Sequence, residues 1–128
     1  MSLLVLDAHG VTRLAQRSMR SLALIESFHE AGLWPPVVPS AVLVECLTGT
    51  GPRDAKELRF LRTCDVREIL PMPLARSAAR LRTLAKRGSA VDSLVVATAD
   101  PGGTVLTSDP GDLAALAAFA TDVVVERI

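Results

Sequence analysis

The sequence has few residues that could stack on a flat ligand or bind a soft metal. It contains no tyrosine, one tryptophan and three phenylalanines in 128 residues, so stacking of nucleic-acid bases is not the recognition mode that the composition favours. Its two cysteines, Cys46 and Cys64, lie apart without a Cys-x-x-Cys or Cys/His spacing. This pattern predicts buried, reduced thiols and argues against a zinc site.

Long apolar runs are also missing. The longest, residues 113–120, is far shorter than the roughly 20 residues that cross a bilayer, and it predicts a buried helix. The first ten residues contain no basic segment and meet an acid at Asp7, which is not typical of a signal peptide. We therefore expect a cytoplasmic protein with no membrane contact. Its length suits one domain spanning residues 1–128, and its mean hydropathy of +0.35 favours a permanent partner or a homodimer.

The net charge is zero, but the charges are unevenly distributed. Residues 53–87 carry ten basic and four acidic side chains, whereas residues 88–128 carry one basic and six acidic ones. Twelve of the fourteen basic residues are arginine, whose planar fork binds phosphate with two hydrogen bonds. We predict that the region 53–87, with Arg80 and Arg87 as test positions, binds RNA or a protein partner. The alternative is that its arginines form salt bridges on exposed helices.

Short apolar runs alternate with helical patterns along the chain. The patterns predict strands at residues 3–6, 37–38, 66–70, 104–107 and 121–128. They predict helices at 11–31 (broken near 18–21), 41–47 with Ser40 as N-cap, 54–63, 74–86 and 90–99, and another starting at Asp109-Pro110. This alternation indicates an α/β fold with three α/β/α layers around a mostly parallel sheet of about four to five strands.

Two acids stand at the ends of predicted strands. Asp7 directly follows the strand at 3–6, and Asp109 follows the strand at 104–107 after Ser108. The chemistry of open parallel sheets gathers at the carboxyl ends of the strands, so both positions predict functional residues. The alternative for each is a helix cap, and Asp109 before Pro110 suits that role well.

Two more acids lie in nearly all-apolar helices. Glu45 stands in AVLVECL, where no face is obviously solvated, so we expect its carboxylate to be partly buried against a cation or donors. A metal ion would satisfy it, and an arginine partner is the rival. Asp92 begins the apolar helix 90–99, three residues after Ser89, where a capping box is the alternative.

Carboxylates that converge without histidine or cysteine favour hard cations, which here means Mg²⁺ or Mn²⁺. Such ions activate water and neutralise phosphoryl oxygens during phosphodiester cleavage. We therefore predict a metal-dependent nuclease with Asp7, Glu45, Asp92 and Asp109 as catalytic acids. Three of them, Asp7, Asp92 and Asp109, are the predicted metal ligands.

Four segments, in the order LLVLDA, VPSAVLVE, SAVDSLVVATA and VLTSDPGDL, resemble the PIN-domain ribonucleases, and especially the VapC toxins of bacterial toxin–antitoxin pairs. The resemblance covers nearly the whole chain. It implies a PIN-like fold, a Mg²⁺-dependent endoribonuclease acting on structured RNA, a homodimer, and a small antitoxin that blocks the active-site groove. It also implies roles as the family's first to fourth acids, and as an optional outer acid, for Asp7, Glu45, Asp92, Asp109 and Asp112, respectively.

The sequence departs from the family at Ala8, His9 and Gly10, where small or hydroxyl residues are common. We expect His9 to be an ordinary residue at a helix start, with a substrate contact as the alternative. Two other functions stay open. One is a non-catalytic α/β binding module whose acids only cap helices. The other is a haloacid-dehalogenase-like phosphatase, since VLDAHGVT and TSDPGD loosely resemble its motifs, although His9 replaces its second aspartate.

Overall fold

The computed structural model describes residues 2–128 and has a five-stranded parallel sheet at its centre. The strands lie in the spatial order β3-β2-β1-β4-β5. Their bounds are β1 (Leu4–Leu6), β2 (Val37–Pro39), β3 (Asp65–Arg67), β4 (Thr104–Thr107) and β5 (Val124–Arg127). The predicted fold class is thereby confirmed.

Helices cover the sheet in two groups. The first group is α1 (Ala8–Ala15), α2 (Met19–Glu30), α3 (Leu43–Cys46) and α4 (Ala55–Leu61), in which α1 packs against the other three. The second group is α5 (Met72–Ala85), α6 (Ala90–Ala99) and α7 (Gly111–Ala117), which pack on one another. Within residues 2–128, no helix is both long and apolar enough to cross a membrane.

The two central strands form the middle of the core. Val5, Leu6, Val105 and Leu106 are at most 1% exposed, because helices cover both faces of β1 and β4. Strands buried on both faces need apolar residues at every position, which explains their continuous apolar runs. At the sheet edge, β3 pairs on one side only and has exposed residues at both ends.

The strand order reverses between β1 and β4. From β1 the chain moves to β2 and then β3 on one side, and β4 returns to pair with the other side of β1. Neighbouring crossover connections therefore diverge at the carboxyl ends of β1 and β4, which leaves a crevice there. This topological switch point is where α/β folds of this kind bind ligands.

Three predicted helix starts were wrong. α1 begins at Ala8 instead of residue 11, because Asp7 caps it. The segment predicted as one helix over 41–47 is a 3₁₀ turn (Ser40–Val42) followed by the short α3, and Pro39 takes the N-cap position expected of Ser40. α7 begins two residues after Asp109.

Candidate active site

Asp7 lies at the switch point, directly after β1, and is only 5% exposed. Its Oδ1 accepts a hydrogen bond from the Gly10 backbone N–H at 2.8 Å, which is the N-cap bond of α1. Its Oδ2 accepts a hydrogen bond from the Thr107 hydroxyl at 2.7 Å. The helix-cap role considered for Asp7 is real, but it occupies only one of the two carboxylate oxygens.

Thr107 connects the ends of the two central strands. It is fully buried at the end of β4, and its hydroxyl both donates to Asp7 and accepts the Asp109 backbone N–H at 3.0 Å. This positioning residue was not predicted. The available signal was a hydroxyl side chain at the carboxyl end of a buried strand, directly before Ser108 and Asp109.

Gly10 allows α1 to lie against β4. A Cβ atom at this position would overlap the carbonyl oxygen of Leu106, which is a backbone atom that cannot swing aside. Glycine normally destabilises a helix interior relative to alanine, so the close approach gives a structural reason for its presence here. The approach also places the Gly10 N–H and the Thr107 hydroxyl around the same carboxylate.

Burial raises the pKa of Asp7 above its ordinary value, and the hydrogen bonds from Thr107 and Gly10 only partly offset this effect. His9 Nδ1 lies 3.5 Å from Asp7 Oδ2 and acts in the same direction as these bonds. Among residues 2–128, no lysine or arginine forms an ion pair with Asp7. Its carboxylate is therefore a buried anion that a nearby cation would stabilise.

A cleft of about 790 Å³ opens beside Asp7: its chain neighbours Ala8 and His9 line the cleft, whereas the buried Asp7 is not part of the lining. Four further acids line the same cleft, three of them predicted catalytic residues: Glu45, Asp92, Asp109 and Asp112. Two guanidinium groups, from Arg13 and Arg87, also line it. The structure thus brings Glu45, Asp92, Asp109 and Asp112 to one cleft, with Asp7 buried next to the lining residues Ala8 and His9.

Glu45 is exposed, so the expectation that its carboxylate is partly buried was wrong. α3 has only four residues, and the neighbouring Val44 is 83% exposed. Apolar letters around an acid predict burial only if the helix is long enough to be packed on several sides. Glu45 nevertheless lines the cleft.

The capping alternatives have different outcomes for Asp92 and Asp109. The Asp92 carboxylate accepts the Ser89 N–H at 3.1 Å, and the Asp92 N–H donates to Ser89 Oγ at 3.0 Å, so the capping box is present. By contrast, within residues 2–128 no side chain caps α7, whose N-cap residue is Pro110. The cap that was the alternative role for Asp109 is therefore absent, and Asp109 is an exposed acid on the cleft.

The acids share a cleft but do not meet at one point. Across the described part of the chain, no three Asp, Glu, His or Cys side chains are close enough to hold a metal ion together. Two of the carboxylates are engaged by the chain's own donors: Asp92 by Ser89, and Asp112 by Arg87, whose Nη2 lies 2.8 Å from Asp112 Oδ1. The side chains would have to turn toward one another to share an ion.

A second buried aspartate lies outside the cleft. Asp54, which is 4% exposed, accepts hydrogen bonds from the N–H and hydroxyl of Thr48, both at 2.8 Å, and from the Gly49 N–H at 2.9 Å. These donors, above all the Thr48 N–H, lower the pKa of Asp54. Asp54 thus closes the turn at 48–54, a role that was not predicted.

The cysteines are half-buried and unpaired with each other. Burial raises the pKa of both thiols, Cys46 and Cys64, to about 11. Both therefore stay protonated at neutral pH, which makes them poor nucleophiles and poor metal ligands.

A search of solved structures finds a similar fold over the full length of the chain. One such structure is a chain in the crystal structure of VapBC2 from Rickettsia felis bound to a DNA fragment from their promoter, with a TM-score of 0.68 and coverage of 98% of both chains. This chain has a PIN-like fold. The predicted architecture is confirmed, and at 13% sequence identity the likeness shows the fold alone. No protein-family model matches the sequence. No curated protein matches it either.

Proposed function

We propose that this chain is a Mg²⁺-dependent endoribonuclease and the toxin of a toxin–antitoxin pair. The main support is the Asp7 carboxylate, a buried anion with a raised pKa at the switch point of a PIN-like fold. The cleft beside Asp7 is lined by four acids and two arginines. Its excess of negative charge favours a cation.

The ligand chemistry fits a hard divalent ion. Carboxylate oxygens are the ligands that Mg²⁺ and Mn²⁺ prefer. The cleft offers them after β4 and at the start of α6, and Asp7 lies beside it at the end of β1. Asp7, Asp92 and Asp109 would hold the ion, with Asp92 releasing the Ser89 N–H to do so. When bound, such an ion lowers the pKa of a water and neutralises phosphoryl charge.

The remaining residues have distinct roles in this proposal. Thr107 orients Asp7 from β4 through its hydroxyl. Glu45 lies exposed on the cleft, where its carboxylate can accept a proton from the attacking water. Arg13 and Arg87 present guanidinium groups to the same cleft, and these can bind phosphate oxygens of the RNA.

The proposed partners are a small antitoxin and a second copy of the chain. The similar crystal structure contains VapBC2 with promoter DNA, and full-length similarity to one of its chains supports a partner of this kind. Three apolar side chains in the loop after β3 and at the first residue of α5 are exposed: Ile69 by 81%, Met72 by 66% and Leu70 by 51%. A patch of this kind suits an interface between copies. The cytoplasm is the proposed location.

The decisive test compares cleavage of a structured RNA by the purified chain with cleavage by Asp7→Asn. Asparagine keeps the shape of Asp7 but removes its charge, so we expect the Mg²⁺-dependent rate to fall by about a hundredfold or more. Asp54→Asn is the matched control, since it removes a similarly buried carboxylate outside the cleft. Undiminished cleavage by Asp7→Asn, or wild-type cleavage that survives a chelator, would refute the proposal.

A non-catalytic binding module is the second candidate, and the cap bonds favour it. Asp7 caps α1 and Asp92 completes a capping box, so both acids have structural work without any metal. A module of this kind should show the same melting temperature with and without Mg²⁺. It should also leave RNA intact at every metal concentration.

A further inference from the structure

The basic residues of the chain fall into two groups that differ in their acidic neighbours. Residues 53–68 carry five basic and four acidic side chains in alternation, whereas residues 69–91 carry five basic side chains and no acid. The second group comprises α5 and the turn that follows it, with Arg76, Arg80, Arg82, Lys86 and Arg87. Nearly all the excess positive charge of the basic region therefore lies there.

Part of this charge forms a line along the exposed face of α5. Arg76, Arg80 and Thr83 are separated by four and three residues, which places them on one side of the helix with about 6 Å between successive turns. All three are exposed. In the part of the chain that the structure describes, neither arginine belongs to an ion pair. Two unneutralised guanidinium groups thus point into solvent one turn apart.

The line of charge leads to the acidic cleft. Lys86 ends α5 in a left-handed conformation, and the next residue, Arg87, lines the cleft. The Nε and Nη2 atoms of Arg87 both contact Asp112 Oδ1, at 2.9 and 2.8 Å, so three of its five N–H donors are left for another anion. Arg82 holds the turn from behind by donating to the Gly88 carbonyl at 3.2 Å.

We propose that this basic face, formed by Arg76 and Arg80 on α5 and Arg87 in the turn that follows, binds the sugar–phosphate backbone of the RNA strand and leads it into the cleft. The inference rests on the proposed ribonuclease function and adds the path by which the substrate reaches the acids. The contacts are to phosphate: residues 69–91 contain no aromatic side chain on which bases could stack. Binding along α5 is therefore independent of sequence and sensitive to salt.

The test measures RNA binding without cleavage. A labelled single-stranded RNA oligonucleotide is titrated with the purified chain in a chelator, and the anisotropy is recorded at several salt concentrations. The plot of log K against log salt has a negative slope, and each lost phosphate contact on a single strand reduces the magnitude of that slope by about 0.7. Arg76→Gln with Arg80→Gln should therefore reduce this magnitude by about 1.4. A control pair, Arg53→Gln with Arg62→Gln, also removes two exposed arginines and should leave the slope unchanged.

A variant with added charge tests the same face in the opposite direction. Thr83→Arg places a third guanidinium on the line and should steepen the slope by about 0.7. An unchanged slope in the Arg76/Arg80 double variant, an equal loss in the Arg53/Arg62 control, or no RNA binding by the wild-type chain would overturn the proposal. The two proposals fail separately: salt-dependent binding through α5 without any Mg²⁺-dependent cleavage would refute the nuclease and keep the binding face.

Discussion

Asp7, at the end of β1, and Asp54, in the turn at residues 48–54, are both buried aspartates, but their pKa values are shifted in opposite directions. Asp7 is 5% exposed and Asp54 is 4% exposed. Burial raises the pKa of Asp7, whereas hydrogen bonds from Thr48 and Gly49 lower the pKa of Asp54. Two carboxyl groups with little solvent access thus differ in their preference for the charged form.

The dominant influence on the pKa differs: it is desolvation for Asp7 and hydrogen bonding from the turn for Asp54. Asp54 accepts three hydrogen bonds, two of them from backbone N–H groups at the turn. Asp7 accepts two, with His9 next to it at 3.5 Å. A buried carboxylate with enough donors is complete as a structural element, whereas one with too few gains from a cation. Strong desolvation together with fewer donors thus distinguishes Asp7 from Asp54.

Metal binding should separate the two aspartates most strongly. If Mg²⁺ binds at Asp7, a concentration about a hundred times its Kd should stabilise the wild-type fold by about 2.7 kcal/mol, and a chelator should remove this gain. Asp7→Asn should lose most of the effect and Asp54→Asn should keep it. Thermal unfolding with and without Mg²⁺ measures both, and equal Mg²⁺ responses in the two variants would break the comparison.

Stability without metal should show the next largest difference. Asp54→Asn replaces a carboxylate that accepts three bonds by an amide whose nitrogen cannot accept any, so backbone donors at the turn lose their partner. We expect the melting temperature to fall by roughly 5 to 10 °C. Calorimetry checks this value. If only Asp7→Asn lowered the melting temperature, Asp7 would be the structural residue, and the roles assigned to the two aspartates would be reversed.

The pH dependence should show the smallest effect and the clearest sign. Because the pKa of Asp7 is raised, its ionisation opposes folding above that pKa, so Asp7→Asn should melt at a higher temperature than the wild type at neutral pH. The gain should vanish as the pH falls below the ordinary aspartate range. The stabilisation by Asp54 is present above that range and is lost as the pH falls through its lowered pKa. As the pH falls from neutral to about 3, the melting temperature of Asp7→Asn should approach that of the wild type from above, and that of Asp54→Asn should approach it from below.

Most of the fold could be predicted from the sequence, because strong local patterns and the observed elements coincide. The strand predicted for TVLT has the same bounds as β4. The helix predicted for the nearly all-apolar segment 90–99 has the same bounds as α6. Both elements are buried on several sides, so their letters carry the signal without help from distant residues. The start of α7 could not be placed from the sequence, because Asp109-Pro110 has good cap chemistry that the structure does not use.

The structure places Glu45, Asp92 and Asp109 on one cleft with Asp7 beside it, whereas the groups that position Asp7 were not predicted. Strand ends predict where Asp7 and Asp109 lie, but the Thr107 bond to Asp7 joins residues a hundred positions apart. The burial of Asp54 likewise depends on how the turn folds back, which a run of Thr and Gly residues does not reveal. Glu45 failed in the other direction, since its apolar neighbours are themselves partly at the surface.

The contact between Gly10 and the Leu106 carbonyl makes the surroundings of Asp7 sensitive to a single added methyl group. A methyl group there must push α1 away from β4, which pulls apart the donors of Asp7 while the rest of the sheet can still form. Gly10→Ala is therefore a natural starting point for a temperature-sensitive allele. In such an allele a small rise in temperature would break the hydrogen bonds that hold the Asp7 carboxylate before the protein unfolds, although no chemically reactive group has changed.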